Sequence, residues 1–365
     1  MGKPELIVGL MSGTSLDGVD AALVDFSLAK PTVLATAYLP YTAELRDALL
    51  TLHQPASDEL HQAAMLSQQL ARIYAAAVES VLAKAGIAAS GVRSIGCHGQ
   101  TIRHQPLLGY TLQLNNPALL AELCGICVVA DFRSRDIAAG GQGAPLVPAF
   151  HAALFGDSHR HRAILNVGGI ANLTNLNPGQ ATQGFDCGPG NILLDAWTQR
   201  HLGQAYDARG QWAASGHELP ELLTNLLAHP FFAQEPPKSC GREQFNLDWL
   251  SGFLNHRDTP ADVQATLLAL TAVSTQQAVQ RWCGAVNELY VCGGGAHNTA
   301  LMNRLSTLMP HIKVLTTDAL GLPADWVEAA AFAWLAWRTL HNLPGNLPEV
   351  TGAQGPRLLG AIYPA

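Results

Sequence analysis

The sequence predicts a two-lobed α/β protein, with duplicated mixed β-sheet domains around an interlobe cleft. Three observations carry that prediction. A short apolar strand, a turn rich in glycine and hydroxyls, and a second strand open the chain at residues 6–26. The same succession returns at residues 163–176, with 155 positions between Gly13 and Gly168. In the first half, three strands run into a long helical stretch, and short apolar runs then alternate with helical spacing. The lobes are drawn at 1–158 and 159–365, with the turn-rich tail free to pack back on the first.

At 365 residues the chain is long enough for two domains of ordinary size. With 48% apolar and 13% charged residues it has the composition of a folded chain, not a disordered one. A net charge of −7 argues against a general nucleic-acid or anionic-membrane surface. No apolar run reaches the roughly 20 residues of a membrane helix, and the first residues lack a signal-peptide pattern. Seven cysteines, an odd count, suggest reduced thiols and a cytoplasmic location. Cys124 and Cys127 form a lone C-x-x-C, read as buried apolar cysteines in preference to a metal or redox pair.

Residues 6–11 form the first strand and residues 19–26 the second. Gly13 and Gly18 in the connecting turn let backbone amides approach a phosphate, and Thr14 and Ser15 add hydroxyl donors. Ser12, Gly13, Thr14, Ser15, Leu16, Asp17, Gly18 and Val19 are therefore assigned together to a phosphate chain, against the reading of an ordinary hairpin turn. Residues 31–40 read as a third strand and 43–52 as a helix. Residues 57–85 form a long helix with Ser57 as N-cap and Gly86 as its stop. Leu60, Ala64, Leu66, Leu70, Ile73, Ala77, Val81 and Leu82 make its apolar face.

Residues 92–97 are a buried strand that empties into a polar loop at 98–104. Ligands of α/β proteins bind at the carboxyl ends of strands, so His98, Gln100 and Thr101 are candidate sugar contacts. A self-satisfied loop network is the competing reading. Asn116 caps a helix that Pro117 opens, and residues 126–130 are another strand. Arg133, Arg135 and Asp136 are open to two readings. One is a surface ion pair; the other is an arginine that holds an acidic sugar substituent, since guanidinium matches carboxylate bidentately. A glycine-rich connection at 139–148 and a helix to residue 155 lead to the boundary.

The second hairpin carries Gly168 and Gly169 at its tip. Asp186 stands before a helix starting at residue 192, in a turn shaped by Gly188, Pro189 and Gly190. It is either a helix cap or a general base held rigidly at the cleft. Residues 203–260 carry little signal, and 262–283 form an amphipathic helix. The strand at 288–292 runs straight into Gly293, Gly294 and Gly295, more glycine than a tight turn needs, pointing helix amides at a ligand. Glu328 is a lone carboxylate on an apolar helix with Trp326, Trp334 and Trp337, and it needs a partner. No H-E-x-x-H or paired Cys/His spacing marks a metal hydrolase.

Residues 11–20 (MSGTSLDGVD) resemble the amino-terminal signature of the anhydro-N-acetylmuramic acid kinases, a family of the actin/Hsp70/sugar-kinase superfamily. Residues 186–191 (DCGPGN) resemble that family's Asp-x-Gly-Pro-Gly-Asn block, and the likeness spans nearly the whole chain. The resemblance implies a kinase using ATP and Mg²⁺, with Asp186 as catalytic base, the 293–295 block under the nucleoside and Glu328 facing substrate. The implied reaction turns ATP, 1,6-anhydro-N-acetylmuramic acid and water into ADP and N-acetylmuramic acid 6-phosphate, in peptidoglycan recycling. One departure matters: Met11 stands where the superfamily's phosphate loop usually has Asp. The metal ligands are thus unassigned, with Asp17, Asp20 or water as candidates. Two alternatives keep the fold, an ordinary hydroxyl-sugar kinase and a nucleotide-dependent sugar sensor without turnover. The expected partner is a small sugar, with no nucleic acid and no membrane, and the long helix permits a homodimer.

Overall fold

The computed structural model describes residues 4–13, 15–27 and 30–365, so Thr14 lies outside the described residues. The chain divides into two compact units, residues 1–150 with 326–365, and residues 151–325. The division drawn from sequence at 158 lies inside the second unit, and residues 326–365 join the first.

In the first unit β1 (Leu6–Ser12) pairs antiparallel with β2 (Gly18–Asp25), and β3 (Thr32–Pro40) extends the meander. Every residue of β1 is buried, as a central strand covered on both faces requires. β4 (Val92–Gln105) runs parallel to β1 on its other side. β5 (Tyr110–Leu114) pairs antiparallel with the far half of β4, and β6 (Val128–Ala130) runs parallel to the near half. The stretch 98–104, expected as a loop, is therefore strand. Its backbone is satisfied by β5 and not by apolar burial, which is why an apolar-run reading ended the strand at residue 97.

The helix Glu59–Ala85 buries Leu66, Leu70, Tyr74, Ala77 and Val81, a 3.6-residue stripe that packs in the core with β1 and β2. Gly86, at φ 66°, ends it in the left-handed conformation. Its start differs from expectation. Asp58, not Ser57, precedes the first turn and makes no side-chain cap, and Leu60 is 88% exposed because burial begins only at Leu66.

The second unit repeats this plan. β7 (Arg162–Val167) and β8 (Ile170–Leu176) form a hairpin, and β9 (Gln183–Pro189) pairs with β8. β10 (Glu288–Cys292) runs parallel to β7, and β11 (Lys313–Thr316) runs parallel to β10. The order β11-β10-β7-β8-β9 matches β6-β4-β1-β2-β3 strand for strand. The duplication seen in sequence is thus a duplication of topology. The helix Pro260–Ala278, expected as amphipathic, is buried nearly all round. Two of its polar residues bond inward: Thr271 Oγ1 donates to Pro189 O at 3.0 Å and Gln264 Nε2 to Thr198 Oγ1 at 3.1 Å.

Residues 326–365 return to the first sheet. The helix Val327–Leu340 lies so close to β1 and β4 that a Cβ on Gly9 would overlap Ala329 O, and one on Gly96 would overlap Phe332 O. Its alanines make that approach feasible, and Trp337 stacks on Phe26 with centroids 5.8 Å apart. β12 (Ala361–Tyr363) then pairs antiparallel with β6 at the sheet edge. No helix among the described residues is long and apolar enough to cross a membrane.

Candidate active site

β1 delivers Ser12 into the first hairpin turn, where the residue is buried. Its hydroxyl donates to Gly99 O at 3.1 Å, which leaves Tyr74 OH, 2.9 Å away, to donate to it. Two side chains of β4 reach the same turn. His98 Nδ1 lies 3.3 Å from Ser12 O, and Gln100 Nε2 donates to Gly13 O at 3.0 Å. Gln100 Oε1 is buried without a partner. Leu16 and Val19 put their side chains in the core, so toward a phosphate they offer backbone alone. Ser15 Oγ donates to Asp17 Oδ1 at 2.6 Å on the exposed side, and Gly18 opens β2 against the Tyr38 ring.

Arg133 follows β6 and turns back to His98. Its Nε and Nη2 donate to His98 Nε2 at 3.1 and 2.9 Å, and its Nη1 donates to Gly143 O at 2.7 Å. A guanidinium accepts nothing, so His98 Nε2 bears the lone pair and the ring proton sits on Nδ1, facing Ser12 O. Burial, reinforced by the Arg133 charge, holds His98 well below the ordinary imidazole range, and the ring is neutral at physiological pH. Burial brings Arg133 down to about 10 against the opposing pull of Glu328 and Asp136. Glu328 lies in the first turn of the helix Val327–Leu340, its carboxyl raised by burial and lowered in part by Arg133. Thr101 Oγ1 accepts from Gln113 Nε2 at 3.2 Å.

Asp136 is not a surface ion-pair residue. It is fully buried, and its Oδ2 accepts from Gly143 N at 2.7 Å. Its Oδ1 accepts from Asn346 Nδ2 and Thr351 Oγ1, both at 2.7 Å. The carboxylate therefore ties the glycine-rich loop to the end of the chain, and Gln142 N adds a bond to Thr351 O at 2.7 Å. Arg135 remains exposed.

In the second unit Asp186 lies within β9 and caps no helix. Its amide donates to Lys238 O at 3.0 Å, and its Oδ2 accepts from Cys240 N at 2.9 Å. Burial raises its carboxyl to about 6, opposed by the Cys240 amide and the Lys238 charge. Lys238 Nζ donates to Phe231 O at 3.2 Å and sits 4.6 Å from the centre of that ring.

Three glycine segments converge at the carboxyl ends of β7 and β10. Gly168 O accepts from Asn191 N at 2.8 Å, and Gly169 O accepts from Gly190 N at 2.9 Å and Ile192 N at 3.0 Å. A Cβ on Gly293 would strike Asn166 Oδ1, and one on Gly295 would strike the Val167 side chain. Gly294 lies beside Asn191. Bare backbone thus gathers where parallel strands end and the helix Ile192–Leu202 begins, the usual place for a phosphate in an α/β unit.

A family model described as anhydro-N-acetylmuramic acid kinase matches residues 5–365. The chain belongs to the anhydro-N-acetylmuramic acid kinase family. The anhydro-N-acetylmuramic acid kinase of Nitrosospira multiformis is 58% identical over 365 residues, covering 100% of each chain. That of Nitrosomonas europaea is 57% identical over 360 residues, covering 98% of this chain and 99% of its own. Among solved structures, the activator of the 2-hydroxyisocaproyl-CoA dehydratase from Clostridium difficile with bound ADPNP is similar over 93% of this chain and 98% of its own, at TM-score 0.47 and 11% identity.

In this anhydro-N-acetylmuramic acid kinase family member, the first unit brings Ser12, His98 and Arg133 into one bonded group, with Gln100 bonded to the adjacent Gly13. The second brings Gly168, Gly169 and Gly293–Gly295 together. Sequence reasoning missed Lys238 and Cys240 as the backbone that holds Asp186, and Asp136 as the clamp of the Arg133 loop. No spacing announces either, since each works through a main-chain group or a distant partner.

Proposed function

We propose that this chain is an ATP-dependent kinase that opens 1,6-anhydro-N-acetylmuramic acid with water and phosphorylates it, acting in the cytoplasm on recycled peptidoglycan. The observation that carries the reading is the Asp186 carboxyl, raised to about 6 in a chain of the anhydro-N-acetylmuramic acid kinase family. A base with that value is largely ionised at neutral pH yet still takes a proton readily.

Asp186 removes a proton from water, and the water oxygen attacks the anomeric carbon. The bond from C1 to O6 breaks, and O6 takes the γ-phosphoryl group of ATP, releasing ADP. Phosphoryl transfer asks the protein mainly for position and charge stabilisation. In the first unit the described backbone of the turn after β1 suits a phosphate; in the second, taken by itself, the bare backbone at Gly168, Gly169 and Gly293–Gly295 does. Arg133 suits the acidic arm of the sugar, and Glu328, Gln100 and Thr101 its neighbouring hydroxyls.

Among the described residues no three His, Cys, Asp or Glu side chains converge as a metal cage. Mg²⁺ carried by the phosphates keeps waters and takes one or two carboxylates. Asp17 is the exposed carboxylate beside the turn, and Met11 offers none. When bound, Mg²⁺ neutralises phosphate charge.

The test is ADP release by the parent and by Asp186→Asn, with and without the anhydro sugar, in ¹⁸O-labelled water. Sugar-dependent release in the parent, label at C1 and loss of the rate in the variant are expected. Turnover without label would make this an ordinary hydroxyl kinase, and an undiminished variant would remove Asp186 from the chemistry.

A further inference from the structure

Both ring nitrogens of His98 are engaged inside the protein, Nδ1 with Ser12 O and Nε2 with Arg133. The ring lies 4.6 Å from that of Phe332, and the residue is buried. It has no polar atom left for a ligand. We infer that His98 is a positioning residue and not a sugar contact: it aims Arg133 at an acidic substituent of the substrate while holding the Ser12 carbonyl of the phosphate turn. The inference rests on the activity proposed above and names how the acid group of its substrate is read.

Three bonds to His98 and Gly143 use three of the five guanidinium N–H donors. Two remain, the number that a bidentate carboxylate contact uses. At the other end, a trans peptide points its N–H away from its C=O. With Ser12 O drawn to His98, the Gly13 amide is directed to the opposite side. A neutral imidazole is suited to this task because one end donates and the other accepts. A lysine or arginine in its place would repel Arg133, and a leucine would remove the His98 contact to the Ser12 carbonyl.

Two amide variants divide the two bonds. His98→Asn keeps a donor near the Nδ1 position and loses the acceptor for Arg133; His98→Gln keeps an acceptor near the Nε2 position. The assay measures KM and kcat with 1,6-anhydro-N-acetylmuramic acid. It also measures the binding of 1,6-anhydro-N-acetylglucosamine, which lacks the acid arm, as a competitor. His98→Asn is expected to weaken the acidic sugar on the order of tenfold while leaving the neutral competitor nearly unchanged, and His98→Gln to recover most of that loss. Equal weakening of both sugars in His98→Asn would overturn the inference. So would a His98→Gln variant as impaired toward the acid as His98→Ala. A parent enzyme that binds the acidic sugar without turning it over would sink the proposed activity. Calorimetric binding of the two sugars to the parent and variants would still decide the role of His98.

Discussion

Asp186 and Cys240 meet across 54 positions of sequence, where the Cys240 amide donates to Asp186 Oδ2 at 2.9 Å. That bond favours the ionised carboxylate, as does the Lys238 charge, but burial outweighs both and leaves the group at about 6. Opposed effects, burial the larger, set a value useful to a base at neutral pH.

Activity should therefore follow the ionisation of Asp186. The rate of the parent is expected to fall about tenfold per pH unit below 6, the value to which burial raises the carboxyl. Asp186→Asn should lose roughly a thousandfold in kcat and show no such limb. A steady-state pH series on both proteins checks this. A variant that retained the limb would assign it to another group.

The same shift has a cost in stability. The folded value of about 6 lies above the ordinary 3.8, so the folded chain binds more protons between those values. Stability from this group is complete below 3.8 and is lost as pH rises through about 6. Asp186→Asn should thus stabilise the protein by about 2 kcal/mol at pH 8 and by little at pH 4. Urea midpoints at the two pH values measure it, and a gain larger at pH 4 would contradict the sign.

Gly9→Ala should destabilise by about 3 kcal/mol, because the added methyl meets the backbone of Ala329, which no rotamer change can move. Gly96→Ala should behave alike against Phe332. Ala22→Gly in β2, which adds no atom, serves as the control. Urea unfolding midpoints read all three, and an unchanged Gly9→Ala midpoint would show that the helix can shift outward.

Thr351→Val removes one of the hydrogen bonds to the buried Asp136 carboxylate. A loss of about 2 kcal/mol is expected, the range for a bond to a charged group. The loop carrying Gly143 should loosen with it, raising KM for the acidic sugar more than it lowers kcat. An effect on kcat alone would detach this clamp from sugar binding.

Much of the fold was legible because hairpins repeat their strand, glycine turn, strand pattern whatever surrounds them. The β1–β2 and β7–β8 hairpins, the stop at Gly86 and the Gly293–Gly295 turn were all readable from local chemistry. What escaped was set by distant partners. The far half of β4 is strand because β5 pairs with it, and Pro260–Ala278 is buried nearly all round, with Thr271 and Gln264 bonded to neighbouring elements. The site divides the same way. Residue types marked Asp186, His98 and Arg133, but a polar run at a strand end does not say which residue meets the ligand and which meets its neighbour. Asp136 looked like a surface charge because its partners, Asn346 and Thr351, lie more than two hundred positions away.

The return of residues 326–365 to the first sheet also orders events during synthesis. β1 and β4 are made before the helix that covers them and before the residues that seat Asp136, which follow more than two hundred positions later. A prematurely terminated chain would carry every residue of the Arg133 group except its support, with a bare apolar sheet open to capture by chaperones or proteases. Only a chain that carries residues 326–365 can hold that arginine in place.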